Sequence, residues 1–347
     1  MTRQYKTVVF IFSLIIFLCS YRTVSADIEI LKEIVEAEHE LSYVGVRLRT
    51  NGSRTMEELV IHKSEEDTYR KTISILGEEK SIEEDNRRER RDGDRRRGRE
   101  RGDREARWER QRSQFSISEI KLIAENYELE HKRWGEKIAG YKTDILIIKP
   151  KFEGRPTKYI YFAHDNYLIL KVQDLDAAGV LRGMFVYTRI SFDPEAVSKK
   201  WDEFSEEIRV RPRTYGVISI DDANKMLKKK RLIQPTYLPS GFQLQHVYKH
   251  SYRGRHPVRL KYTDGLLDYS IFVTLKQENS DEDDHRGWTE ILMGETKVFK
   301  HPRSSTNAYS WTNSGIRYFL AGPIPSTEME NIVESIINQF TQNNLQD

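Results

Sequence analysis

Four segments decide the fold of the first half of the chain: DILII (144–148), YIYF (159–162), YLILKV (167–172) and MFVYTRI (184–190). Each is rich in β-branched and aromatic residues, and turn-forming residues such as those at 164–166 separate them. Consecutive strands that are joined by short turns form an antiparallel meander. The strands are long enough for such a sheet to curl, so we expect a curled antiparallel sheet with helices packed on it.

Patterns on either side extend this domain. Apolar residues recur at helical spacing over 27–41, and the segment 43–49 alternates as a strand does. A second amphipathic helix is predicted over 194–208. A basic, aperiodic stretch with Pro212 follows, and we therefore place a linker at 209–218.

A second domain is predicted over 219–347, with a smaller antiparallel sheet packed with a C-terminal helix. The hairpin turn at 263–265 separates two strand patterns, and Thr327 and Glu330 predict a capping box at the start of the helix. Together the two domains place the chain in the α+β class. An apolar stripe gives the helix the face that covers the sheet: Met329, Ile332, Val333, Ile336, Ile337 and Phe340.

Two glycines of the second domain follow turn-forming residues. Gly241 comes after Pro239-Ser240, and Gly265 comes after Asp264. We expect a positive φ or a close backbone approach at both glycines, because only glycine adopts such conformations without strain. At least one of the residues that follow them, Phe242 and Leu266, is expected to pack in a core.

The N-terminus has the pattern of a secretory signal peptide over 1–26. A short basic start precedes the apolar run Val8–Leu18, and Val24-Ser25-Ala26 provides the small residues of a cleavage site. The run is short for a membrane span, although an uncleaved anchor is the alternative interpretation. Lipidation of Cys19 is a second alternative, which the bulky residues before it disfavour. Cleavage after Ala26 would leave an exported chain without cysteine.

Charge is concentrated in one tract of the chain. Residues 87–112 carry thirteen Arg against seven acidic residues, whereas the whole chain of 347 residues has a formal net charge of +3. Because it has almost no apolar side chains, 84–113 is predicted to be a disordered insertion in the first domain. A solvated linker is one interpretation of 87–112, and weak contact with a polyanion or an anionic membrane is the other. No specific nucleic-acid partner is expected, because the remainder is not basic.

No motif in the sequence carries catalysis. It lacks a G-x-S-x-G elbow, an H-E-x-x-H zinc motif and a phosphate-binding glycine loop, and the acidic run 281–284 lacks the spacing of an EF-hand. We therefore expect no enzyme, no cofactor and no metal site.

The aromatic meander instead suits the binding of acyl chains, because each buried CH₂ contributes about 0.8 kcal/mol without any polar contact. The alternative is that the same side chains simply fill the core. The candidate lipid-cavity residues are Tyr141, Tyr159, Tyr161, Phe162, Leu168 and Leu170.

Several segments, in this order along the chain, resemble the MucB/RseB family. They are IAGY (138–141), YIYF (159–162), LPSGF (238–242), YTDGL (262–266) and YSIFV (269–273). The resemblance implies a LolA/LolB-like lipid-binding domain over 27–208, that is, a half-barrel around an apolar cavity. It also implies a domain over 219–347 like the C-terminal domain of MucB/RseB. Family members are periplasmic regulators of the sigma-E envelope stress response.

The resemblance also implies partners. These are the periplasmic segment of a membrane-spanning anti-sigma factor, which the regulator shields from proteolysis, and lipid or lipoprotein acyl chains, which release it. Part of the partner surface falls on the second domain, where Leu238, Phe242, Asp264 and Leu266 are the candidates. Two alternatives stay open: a lipid carrier of the outer-membrane lipoprotein-sorting type without a regulatory partner, and a secreted hydrolase of unrecognised type.

Overall fold

The computed structural model describes most of the chain beyond residue 26. The described residues are 27–51, 54–64, 68–76, 109–111, 115–204, 216–227, 230–249, 257–276, 287–302 and 306–343. The predicted signal peptide and most of the predicted insertion at 84–113 lie outside this part of the chain.

The first domain is built on a nine-stranded antiparallel sheet with the order β4-β3-β2-β1-β9-β8-β7-β6-β5. The meander predicted from the sequence forms β6 to β9, and β9 pairs with β1 to join the two halves of the sheet. The strands are β1 (Tyr43–Asn51), β2 (Arg54–His62), β3 (Thr68–Leu76), β4 (Glu109–Gln111), β5 (Tyr127–Lys132), β6 (Thr143–Pro150), β7 (Thr157–Ala163), β8 (Ile169–Leu175) and β9 (Leu181–Ser191).

The sheet is open, because its outermost strands β4 and β5 do not pair with each other. The predicted α+β class with two antiparallel sheets is confirmed, but both sheets are uncurled. The expected curl is inferred from strand length, which only permits a sheet to curl. Pairing between the two edge strands is what forces a sheet to curl, and β4 and β5 do not pair.

Helices cover both faces of the first sheet. The helix over 27–40, named α1, and α2 (Ile117–Asn126) pack on one face, where Leu31, Ile34 and Ile123 are fully buried. The third helix, α3 (Pro194–Phe204), packs against Ile61 on the other face. Neighbouring residues of a strand point to opposite faces, so Val60 joins the first core and Ile61 the second.

The second domain is an eight-stranded antiparallel sheet with the order β10-β11-β12-β13-β17-β16-β15-β14. Its strands are β10 (Gly216–Val217), β11 (Gln243–Lys249), β12 (Val258–Thr263), β13 (Asp268–Leu275), β14 (Thr289–Met293), β15 (Thr296–Pro302), β16 (Asn307–Asn313) and β17 (Ile316–Gly322). The predicted linker therefore overlaps this sheet at β10, and residues 205–215 lie outside the described chain.

In the described part of the second domain there are two helices, α4 (Ile220–Met226) and α5 (Ser326–Asn343). All six apolar residues predicted for the stripe of α5 are buried in the core of this domain. The helix begins at Ser326 and not at the predicted Thr327, and the Ser326 hydroxyl bonds the Glu330 carboxylate at 3.3 Å.

The strand β4 lies inside the tract that was predicted to be without structure. Its three residues pair with β3 from Thr68–Gln111 to Arg70–Glu109. Pairing at the edge of a sheet uses backbone groups alone, so a sequence without an apolar face can still form it.

Deleting residues 86–107, which precede β4, is expected to change the free energy of unfolding by less than about 0.5 kcal/mol. The deleted stretch has almost no apolar side chain to bury, and a shorter loop lowers the entropy cost of closure. Thermal unfolding of the deletion variant beside the full chain measures the change. A fall of many degrees in the melting temperature would contradict the linker interpretation.

Candidate functional site

The two domains meet where α2 passes directly into β5. The Asn126 side-chain amide donates to the carbonyl oxygens of Gly241 at 3.0 Å and Asp264 at 2.9 Å. The adjacent Tyr127 hydroxyl donates to Oδ2 of Asp264 at 2.8 Å. The last residue of a helix and the first residue of a strand thus bind two turns of the other domain. We call this contact the domain junction.

Arg155, in the loop between β6 and β7, completes the domain junction. Its two terminal nitrogens donate to the Glu328 carboxylate at 2.6 and 3.0 Å, and its Nε lies 3.5 Å from Asp264 Oδ2. The guanidinium stands 5.0 Å from the centre of the Phe242 ring, and the residue is 2% exposed. A bidentate ion pair of this kind fixes orientation as well as distance, so it holds α5 against the first domain.

Asp264 is the acid at the centre of the domain junction. Its Oδ1 accepts from the backbone N–H groups of Leu266 at 2.9 Å and Leu267 at 2.7 Å, which shapes the turn between β12 and β13. Burial raises the pKa of Asp264, and the hydrogen bonds and Arg155 offset only part of that effect. Burial therefore disfavours the charged form of Asp264 more than its hydrogen bonds and Arg155 favour it.

The two glycines at the domain junction adopt positive φ, as predicted: +82° at Gly241 and +100° at Gly265. A Cβ on Gly241 would lie 2.6 Å from the Asn126 amide oxygen, and one on Gly265 would lie 2.8 Å from the Ile123 backbone nitrogen. Both sites therefore need glycine for conformation and for the close approach of the first domain.

The structure places the four predicted partner-surface residues in and near the domain junction. Asp264 is buried within it, and Leu266 packs against the core of the first domain. Phe242 is buried in the core of the second domain, which confirms that one of these two apolar residues is internal. Leu238 is the exposed member, at 39%.

The six predicted lipid-cavity residues separate into two groups. Phe162, Leu168 and Leu170 are buried in the core between the first sheet and its helices. Tyr159 and Tyr161 are half-buried, and they lie on the opposite face of β7 from the buried Ile160. Tyr141 is half-buried at the edge of the core, with its ring 5.5 Å from that of Phe192.

A buried ion pair that the sequence patterns did not indicate lies across β1 and β2. Arg47 and Glu58 are register partners, each 2% exposed, and their side chains meet at 2.7 and 2.8 Å. Arg70 also binds Glu58, at 3.0 Å, and the Arg47 guanidinium stands over the Phe185 ring at 4.6 Å. Alternation marks which face a residue occupies, but it does not reveal which buried positions are ionic.

A second polar cluster lies at the end of the first sheet. Oxygens of Asp144 lie 3.0 Å from His164 Nδ1 and 3.3 Å from His131 Nε2, and one accepts from the Trp134 backbone N–H at 3.1 Å. Although burial raises the pKa of Asp144, these hydrogen bonds outweigh it, so the pKa lies below its ordinary value. The carboxylate thus stabilises the fold in its ionised form.

Replacing Asp144 with Asn is expected to lower the free energy of unfolding by about 1–3 kcal/mol at pH 7. A carboxyl with a depressed pKa in the folded state contributes fully above its unfolded pKa, and it loses that contribution as the pH falls. The difference between wild type and variant should therefore shrink below about pH 4. Urea unfolding at neutral and acidic pH measures it, and an equal difference at both pH values would contradict the account.

Among the described residues, no group of three or more His, Cys, Asp and Glu residues is placed to hold a metal ion. None of the helices described there combines the length and apolar character that a membrane crossing requires.

Comparisons with known proteins agree with this architecture. Residues 26–205 match the model of the MucB/RseB N-terminal domain. The fold is similar to that of MucB in a crystal structure of MucB in complex with MucA(peri), with 15% identity, a TM-score of 0.55, and coverage of 89% of this chain and 97% of that one. A MucA/MucB complex from Pseudomonas aeruginosa gives 16% identity, a TM-score of 0.52, and coverage of 89% and 98%.

No protein in the curated set matches the sequence. The family model nevertheless spans more than half of the chain, and the likeness to the solved structures extends over both domains. The LPSGF and YTDGL segments form turns at the domain junction, where they bind α2 and the β6–β7 loop. The chain therefore belongs to the MucB/RseB family.

Proposed function

We propose that this protein binds the periplasmic segment of a membrane-spanning anti-sigma factor and shields it from proteolysis. Membership of the MucB/RseB family is the observation that carries the proposal. The two-domain likeness to MucB, which was crystallised with MucA(peri), supports it.

The second domain offers an edge for such a partner. The strand β14 is the last in its sheet, and Leu292 on it is 70% exposed. Beside it lies a groove of about 1210 Å³, lined by β14, β15, β16 and α5, with Phe299 and Phe340 among its apolar residues. An extended segment that adds to an edge strand gains backbone hydrogen bonds, and its side chains can enter an adjacent groove. Of the residues predicted earlier, Leu238 is exposed, but it precedes β11, which lies toward the other edge of this sheet from β14.

Proteolysis tests the shielding function. The periplasmic segment of the anti-sigma factor is digested by its site-specific protease with and without the full-length protein. We expect the protein to slow cleavage in proportion to its concentration, and a Leu292→Asp variant to slow it less. Cleavage at the same rate with and without the wild-type protein would reject the proposal.

We also propose that acyl chains of lipids or lipoproteins bind the first domain and release the partner. Phe162, Leu168 and Leu170 are buried, so the half-buried tyrosines are the members of the predicted set that remain accessible to an acyl chain. A fluorescent fatty acid titrated into wild type and a Tyr161→Ser variant tests this. If acyl chains bind and the anti-sigma segment does not, the lipid-carrier alternative replaces the regulator.

Export completes the proposal: the protein acts in the periplasm, with Asp27 as its first residue after cleavage. The support is the apolar run followed by Val24-Ser25-Ala26. The intact mass of protein from the periplasmic fraction tests it, and a mass that includes Met1 would contradict it.

A further inference from the structure

Two adjoining loops at one end of the first sheet carry an exposed tryptophan. Residues 133–142 join β5 to β6, residues 164–168 join β7 to β8, and the His164 backbone N–H donates to the Lys142 carbonyl at 3.0 Å. Trp134 is 67% exposed, although its ring stacks on His164 with centroids 5.4 Å apart. Covering this large apolar ring would remove its surface from water and gain free energy.

The backbone at Trp134 is held in a conformation that non-glycine residues rarely adopt. Trp134 has φ of +65°, and it is one of four non-glycine residues with positive φ in the described chain; Ala139 and Tyr167 of the same two loops are two of the others. Hydrogen bonds from Trp134 N to Asp144 (3.1 Å) and from Gly135 N to Thr143 (2.7 Å) fix the loop. Backbone strain that is held in place in this way is a feature of binding surfaces.

Three exposed cationic residues lie in the same loop as the indole. Arg133, Lys137 and Lys142 are exposed, and none of them forms an ion pair with a described residue. Glu136 is paired with Lys171, and Asp165 is the other acidic residue of the two loops. The loops therefore present an exposed indole together with three cationic side chains that form no ion pair with a described residue.

We propose that this surface, named the Trp134 loop surface, docks the protein on an anionic membrane. Indole rings favour the headgroup region of a bilayer, and nearby Lys and Arg are attracted to anionic lipid phosphates. Trp134 is the single large apolar side chain exposed in these two described loops. One aromatic ring beside cationic side chains suits a lipid interface, whereas the binding energy of protein interfaces is concentrated in clusters of buried anchors. The proposal rests on these loops and is independent of the proposed function.

Vesicle co-sedimentation tests the proposal with exported full-length protein whose N-terminus has been verified by mass. The vesicles contain phosphatidylglycerol and phosphatidylcholine, or phosphatidylcholine alone. The variants are Trp134→Ser, the double variant Lys137→Glu with Lys142→Glu, and the control Val180→Ser. Val180 is an exposed apolar residue, 52% exposed, outside these loops. All variants retain the segment 87–112, so its charge is the same throughout.

We expect wild type and Val180→Ser to bind anionic vesicles equally, and binding to fall about tenfold in Trp134→Ser and in the double variant. Circular dichroism checks that each variant is folded. Equal binding by wild type and Trp134→Ser would overturn the proposal. So would loss of anti-sigma-segment binding in Trp134→Ser with vesicle binding intact, because the surface would then be a protein contact.

Discussion

We expect the Arg155→Met variant to lose about 3–5 kcal/mol of unfolding free energy, because it leaves two carboxylates at the domain junction without their cation. Arg155 is 2% exposed, and it lies 2.6 Å from Glu328 and 3.5 Å from Asp264. Met keeps much of the side-chain volume, so the loss reports the charge and its hydrogen bonds. Urea unfolding, followed by fluorescence and by circular dichroism, measures the change.

The control for this variant is Lys225→Ala. Lys225 also forms an ion pair, with Asp222 at 2.8 Å, but the pair is exposed to solvent. Loss of this exposed ion pair should leave the unfolding transition almost unchanged. If the Arg155 variant unfolds at the same urea concentration as this control, the buried network does not stabilise the domain junction.

The Gly265→Val variant should lose at least about 3 kcal/mol, from backbone strain at positive φ and from overlap with α2. Gly265 has φ of +100°, and an added Cβ would meet the Ile123 backbone nitrogen at 2.8 Å. Backbone atoms of a helix do not move aside cheaply, so relief requires the second domain to shift. Thermal unfolding and limited proteolysis of the variant measure both effects.

The Gly179→Ala variant measures the cost of backbone strain at positive φ without steric overlap. Gly179 has φ of +78°, but a Cβ there would meet nothing within 4 Å. This control should lose only about 1 kcal/mol. A Gly265→Val variant as stable as Gly179→Ala would show that the close approach of α2 is not required.

The sequence predicted the helices, strands and turns that are determined by residues close together in the chain. The α5 stripe follows from apolar residues at helical spacing, and Met329 and Ile332 are fully buried as that spacing requires. The meander β6–β9 follows from strand and turn residues that adjoin in the chain. The positive φ at Gly241 and Gly265 follows from turn chemistry within a few residues.

The domain junction could not be predicted in this way, because its partners are distant in the chain. Asn126 and Asp264 are 138 residues apart, and Arg155 and Glu328 are 173 residues apart. Asp264 and Leu266, which the sequence proposes as partner surface, lie at the contact between the domains. An exposed turn and a turn buried by another domain have the same local sequence pattern. The curl of the first sheet depends on its edges, which strand sequences do not specify.

Calorimetric titration of the full-length protein with the purified periplasmic segment of the anti-sigma factor tests the central claim most directly. We predict saturable binding that Leu292→Asp weakens about tenfold and that Lys225→Ala leaves unchanged, because a charge placed on the β14 edge opposes strand addition. Folded wild-type protein that produces no binding heat at any segment concentration, and no co-elution with the segment, would contradict the claim.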